Sequence, residues 1–228
     1  MFNPQLPARL GIAVAALLTA GAASANLVTN GSFEAPDIVA TNFYKLYTTG
    51  STAIGGWTVL GKTDESVQLT PYTFMGLPAD HDRQWLDLTG IVDYDKGVRS
   101  DAFATTVGET YRISFAVGNY LPFGISTLGL SINSGAEQLF TNTSLATTSK
   151  SPMNWATFSV DWVADASSAS LSFIGRANGA LSNPNVIGLD NVVVEHVRAS
   201  AVPEPGSWAL AAVGLGALVL RTRRQRRA

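Results

Sequence analysis

Asp80-His81-Asp82-Arg83 is the run whose residue types come nearest to acid–base chemistry, because a carboxylate can orient a histidine as a general base. Its setting argues against that use: it reads as a polar turn before a strand, where sequence neighbours rarely face each other. The second histidine, His196, ends the last expected strand and is expected to be solvated. No Gly-x-Ser-x-Gly elbow, His-Glu-x-x-His helix or phosphate loop occurs. The chain has no cysteine, which removes disulfides, thiolate metal sites and cysteine nucleophiles. Sixteen acids between residues 26 and 200 leave a glycosidase-type carboxylate pair unconstrained by sequence. The expectation is a protein that is not an enzyme.

Aromatic side chains are the better candidates for function. Trp57, Trp85, Tyr120 and Trp155 form the expected carbohydrate-binding set, with Trp162 a further candidate. Aromatic faces pack on the apolar side of pyranose rings, while nearby amides and carboxylates bond the hydroxyls. The same rings also fill sandwich cores, so each position has two readings. Trp57 follows Gly55-Gly56 near an expected loop. Trp85 alternates with Leu86 and Leu88, which leaves its side open. Tyr120 falls in Gly118-Asn119-Tyr120-Leu121-Pro122, read as a loop.

Positioning these residues requires strands. Period-two alternation is clear in 98–104 and in 111–117, where Tyr111, Ile113, Phe115 and Val117 share one face. Further strands are expected at 26–33, 56–60, 66–70, 84–88, 126–133, 137–141, 156–163, 169–174 and 186–197, most of them separated by Gly, Pro, Asn or Asp. No helical stripe occurs between the two ends. The pattern predicts an all-β fold over 26–198: an antiparallel β-sandwich, of the jelly-roll kind. Nine basic against sixteen acidic side chains in 26–200 give that part a net charge of −7, which disfavours nucleic acid as a partner and suits a divalent cation.

The ends read as addresses. Residues 1–25 have Arg9, an apolar stretch over 10–21, and the small-x-small site Ala23-Ser24-Ala25, the pattern of a cleaved signal helix. At the other end a linker, 199–205, contains Pro203-Glu204-Pro205. Fifteen uncharged residues, 206–220, follow, and then the arginine-rich tail 221–228. At about 1.5 Å per residue the apolar run spans roughly 22 Å, against about 30 Å of hydrocarbon, so it makes a short single transmembrane helix. Five arginines beyond it hold the tail in the cytoplasm and place 26–198 outside.

Pro203-Glu204-Pro205, the apolar helix and the basic tail together resemble the PEP-CTERM sorting signal of Gram-negative bacteria. The resemblance implies recognition by an exosortase, a membrane-embedded cysteine protease that acts near the Pro-Glu-Pro. It also implies the company of exopolysaccharide and biofilm genes. The expected location is the inner membrane through 206–220 before processing, and then the cell surface or the extracellular matrix.

Asn26-Leu27-Val28-Thr29-Asn30-Gly31-Ser32-Phe33-Glu34 resembles the opening strand of galactose-binding-like sandwiches, a superfamily rich in carbohydrate-binding modules. Gly188-Leu189-Asp190-Asn191-Val192-Val193-Val194-Glu195 resembles their closing strand. The stretches 84–90 and 108–115 resemble a group of that superfamily found in bacteria and plant cell walls. The resemblance implies polysaccharide as the partner. It also implies a structural calcium shared by Glu34 and Asp190, with backbone oxygens from Asn30 and Gly31 as possible additions. Asn191 stands where the related modules often carry a second acid. A purely structural matrix protein without a discrete ligand is the alternative.

Overall fold

The computed structural model describes residues 25–90, 95–120, 124–144, 153–177 and 186–197. The six-stranded sheet has the order β1 (Lys45–Thr48), β3 (Ser66–Pro71), β4 (Gln84–Asp87), β13 (Ile187–His196), β7 (Thr110–Tyr120) and β10 (Met153–Val163). The five-stranded sheet has the order β2 (Trp57–Leu60), β5 (Gly97–Ser100), β12 (Leu171–Arg176), β8 (Ser126–Ile132) and β9 (Gln138–Asn142). A small ladder pairs β11 (Ser168–Ala169) with β6 (Phe103–Ala104). All the ladders are antiparallel, and the expected β-sandwich is what the chain forms.

Alternation explains the core. Ile113, Phe115 and Val117 of β7 join Leu189 and Val194 of β13 and Leu86 of β4 on one inner face. Val98, Leu128, Leu130, Leu171 and Phe173 line the facing sheet. The ring of Phe115 meets Phe173 edge-on at 5.1 Å and Phe140 at 5.1 Å, so the two sheets interlock through aromatic contacts. β7 and β10 run in register for their full length, from Thr110↔Val163 to Tyr120↔Met153.

Several expectations are revised. Residues 26–33 form turns instead of a strand: Asn30 and Phe33 both have positive φ. The segment still closes the sheet, because it lies along the edge of β13 where β4 ends. Leu27 N donates to Val194 O (3.0 Å), Val192 N donates to Gly31 O (2.8 Å), and the Asn26 side chain bonds Val192 O and Val194 N. Residues 98–104 split into β5 and β6, which belong to different sheets. Tyr120 ends β7 instead of lying in a loop, and β1 lies where no strand was expected. Among the described residues no helix is long and apolar enough to cross a membrane. Residues 1–24 of the expected signal segment, including Ala23, and all of 206–220 and Pro203-Glu204-Pro205 lie outside the described residues.

Candidate functional site

The chain between β3 and β4, residues 72–83, folds over the outer face of the six-stranded sheet. Register places Trp155 beside Gly118 and Gly118 beside Gly188, all on that outer face. The two glycines leave a hollow. A Cβ on Gly118 would lie 2.7 Å from the Trp155 ring, and one on Gly188 would lie 2.8 Å from it. The far edge of the indole and the Met153 methyl therefore lie over bare backbone. Trp85 meets Trp155 edge-on at 5.8 Å, and Leu77 of the crossing loop closes this second apolar cluster. Both indoles hold the loop by its carbonyls: Trp155 Nε1 donates to Pro78 O (2.9 Å) and Trp85 Nε1 to Leu77 O (3.3 Å).

Two carboxylates hold the other half of the loop by its amides. Glu34 Oε1 accepts from Arg83 N (2.9 Å) and Gln84 N (2.7 Å). Asp190, wholly buried at a bulge of β13, accepts from His81 N (2.8 Å) through Oδ2 and from Asn191 N (2.7 Å) through Oδ1. Burial pushes the Asp190 carboxyl up to about 8, against the opposing pull of the His81 and Asn191 amides. Asn191, at φ 52°, turns its amide to Asp80 Oδ2 (3.2 Å). Glu34 and Asp190, the pair that the opening- and closing-strand resemblance implies as calcium ligands, both accept from amides of one turn, 81–84.

Sequence reasoning gave no role to Gln84, which is fully buried. Its Oε1 accepts from Ile38 N (2.6 Å), and its Nε2 donates to Phe33 O (2.8 Å) and Pro36 O (3.0 Å). One side chain thereby fixes the 33–38 segment to the start of β4. The short 3-10 turn Val39–Thr41 follows. Arg83 adds an exposed ion pair with Asp37 (3.0 Å).

These anchors set two neighbouring surface segments side by side. Phe43 stacks on Tyr44 with centroids 4.4 Å apart and planes at 27°. Phe74 stands edge-on to both at 5.2 Å. Phe43 stays 54 % exposed, Tyr72 45 % and Met75 65 %. Sequence reasoning missed this cluster because its members lie in turns, outside any alternation. The available signal was the presence of large apolar residues in segments assigned to no strand.

The expected aromatics are placed differently. Trp57 is interior, beside Phe33 and Phe173, with Nε1 donating to Asn30 O (3.0 Å). Trp85 is also interior, and Trp155 and Tyr120 are half-buried against it or its cluster. Indoles this large gain most by leaving water, and each N–H finds a loop carbonyl. Trp162 packs partly buried on Tyr111. His81 pairs with Asp82 (3.0 Å), both about half exposed, which is a weak surface contact. His196 is less solvated than expected and pairs with Glu109 (3.0 Å).

Among the described residues, no three or more His, Cys, Asp or Glu side chains converge as a metal cluster. The Asn30 carbonyl is taken by Trp57 and Phe33 N, and the Gly31 carbonyl by Val192 N. Glu34 Oε2 has the Arg83 guanidinium only at 3.8 Å, whereas both Asp190 oxygens already accept backbone amides.

Comparison with known proteins adds the sorting signal. Residues 201–227 are a PEP-CTERM protein-sorting motif. Such a motif marks an exported chain that is anchored transiently in the membrane. No curated protein matches the chain. Among solved structures it is similar to the Stig cyclase Fisc from Fischerella sp. TAU, solved in complex with an indole compound. That match has 13 % identity and a TM-score of 0.53, and it covers 78 % of this chain and 100 % of that one. It is also similar to TmCBM61 in complex with β-1,4-galactotriose, at 15 % identity and a TM-score of 0.46, covering 76 % and 100 %. The CBM22-1 xylan-binding domain of Paenibacillus barcinonensis Xyn10C matches at 16 % identity and a TM-score of 0.38, covering 70 % and 96 %. The cyclase match supports the sandwich fold and carries nothing about chemistry.

Proposed function

We propose that this PEP-CTERM protein is exported and surface-sorted, and that its sandwich recognises polysaccharide in the extracellular matrix. The observation that carries the reading is the joining of a sorting motif, within a few residues of the last strand, to a sandwich that presents aromatic rings on loops held fixed. In this reading 206–220 anchors the chain in the inner membrane until an exosortase acts near Pro203-Glu204-Pro205. The interior placement of Trp57 and Trp85 favours a second reading, a matrix protein without a discrete ligand.

The test follows the full-length chain in a Gram-negative host that carries an exosortase. The wild type leaves the inner membrane, and its released form is retarded in native gels that contain the host's exopolysaccharide. Glu204→Ala with Pro205→Ala keeps the chain in the membrane fraction. A wild-type chain that stays in the cytoplasm refutes the reading. Release without any retardation favours the matrix alternative.

A structural calcium at Glu34 and Asp190 belongs to the same proposal. Added calcium then raises the melting temperature, a chelator lowers it, and Asp190→Asn removes the difference. Identical melts of the wild type with and without calcium would dismiss the ion.

A further inference from the structure

The cluster of Phe43, Tyr44 and Phe74, flanked in the chain by the exposed Tyr72 and Met75, has a feature that core packing does not explain. Its rings satisfy one another only in part: Phe43 is stacked on Tyr44 and still more than half exposed, and Met75 is exposed by nearly two thirds. Keeping apolar area in water forgoes about 25 cal/mol per Å² of burial. These side chains lie on two separate segments, 39–44 and 72–75, and both are held by buried polar groups. Gln84 pins the first by way of Ile38. Trp85 and Trp155 grip the second segment's continuation at Leu77 and Pro78, and Asp190 and Glu34 grip it again at 81–84. Phe74 N and Leu77 N close turns onto Pro71 O and Phe74 O, and Tyr72 N bonds Arg83 O across the base of the loop. Partly exposed rings on segments held at these points are pre-organised for a ligand.

The chemistry of the patch selects the ligand. Five side chains are far fewer than the roughly 20–30 residues per partner of a stable protein interface. The charged groups alongside do not favour an anion: Arg83 is engaged by Asp37, Asp82 is exposed and acidic, and the span 26–200 carries −7. The same charge repels anionic lipid surfaces. Partly exposed aromatic rings, with the Tyr72 hydroxyl and nearby backbone as hydrogen-bonding partners, match the alternating C–H and O–H surface of an uncharged pyranose. We propose that Phe43, Tyr44 and Phe74, flanked by the exposed Tyr72, are the platform on which this protein takes a neutral polysaccharide by ring stacking. The proposal rests on the polysaccharide reading above and names its site and ligand class.

The full-length chain, purified in detergent, is run in native gels containing galactan, β-glucan, mannan or the anionic polymer alginate. At least one neutral polymer retards the wild type. Phe43→Ala with Phe74→Ala weakens that retardation at least ten-fold, and Tyr72→Ala weakens it several-fold. Val163→Ala, at a 58 % exposed apolar site on β10, matches the wild type. If the double variant loses its cooperative melt, Tyr72→Ala decides the matter alone. Undiminished binding by folded platform variants overturns the platform and leaves the polysaccharide reading standing. Retardation by alginate alone overturns the neutral-ligand assignment. A wild type retarded by none of the four polymers, nor by the host exopolysaccharide, overturns the reading and the platform together.

Discussion

Replacing Gln84 by Leu tests whether one buried amide fixes the segment that leads to Phe43. The substitution keeps volume and burial and removes three hydrogen bonds. It orphans Ile38 N, Phe33 O and Pro36 O, of which Ile38 and Phe33 belong to buried residues. A buried polar group left unsatisfied costs about 1–3 kcal/mol, so the two buried groups cost roughly 4 kcal/mol and the part-buried Pro36 carbonyl about 1 kcal/mol more. Burying Leu in place of an amide returns about 2 kcal/mol, which leaves a net loss of about 3 kcal/mol. With a urea slope of about 2–3 kcal/mol/M, the unfolding midpoint falls by roughly 1–1.5 M. Limited proteolysis then cuts in 36–44 before any other site. Gln84→Glu separates hydrogen bonding from shape. It keeps an acceptor for Ile38 N and places two carbonyls against a carboxylate, so it is worse than Leu at pH 7. It recovers at low pH, where a protonated acid can donate to Phe33 O or Pro36 O. A loss below about 1 kcal/mol for Leu, with unchanged cleavage of 36–44, would refute the reasoning.

Asp87, 3 % exposed, is pushed up to about 6 by burial, although Thr89, the Ile187 amide and Lys96 pull the other way. Its folded value lies above the unfolded one, so its contribution is complete below about pH 4 and is lost as pH rises through 6. Two units at about 1.4 kcal/mol each make this roughly 3 kcal/mol, and Asp87→Asn should remove that slope from a plot of stability against pH; an unchanged slope counts against it. At Gly31 a Cβ would collide with the Val192 carbonyl, which is backbone and cannot swing aside. Gly31→Ala should break the Val192–Gly31 hydrogen bond, cost roughly 2–4 kcal/mol and speed amide exchange at Val192, whereas a melt equal to wild type rejects the close approach. Trp155→Phe loses the bond to Pro78 O together with the far edge of the indole that lies over Gly118. It should cost about 2 kcal/mol in urea unfolding and increase cleavage of 76–82, and no change in either measure would mean the indole does not hold the loop.

The strands were legible because burial on one face imposes a period of two, and Tyr111, Ile113, Phe115 and Val117 show it without interruption. Lys45–Thr48 was not legible: four residues at a sheet edge, of which only Tyr47 is buried, leave too short a pattern. The opening motif was read as a strand, and it forms turns that lie along the edge of β13. Asn26 bonds β13 through its side chain, so the local backbone is free to turn at Asn30 and Phe33. The convergence of Glu34 and Asp190 came from resemblance alone. The 155 residues between them in sequence give no local signal, and only the fold brings both to the amides of 81–84.

The residue types nominated for binding turn out to do a different job for the same physical reason that made them attractive. An indole offers a large apolar face and one N–H. Such a face stacks on sugar when it is outside; inside, it fills volume and requires a carbonyl, and a loop has carbonyls that no ladder uses. Trp85 and Trp155 therefore fix residues 77–78, as the carboxylates of Asp190 and Glu34 fix 81–84 through amides that no ladder uses. Residues so held can afford exposed neighbours, because the loop's position does not depend on burying Phe74 or Tyr72. A sandwich with no such anchors would collapse those rings onto its surface and lose the platform. Removal of an anchor should thus weaken glycan binding in proportion to loop mobility, with the rings themselves intact.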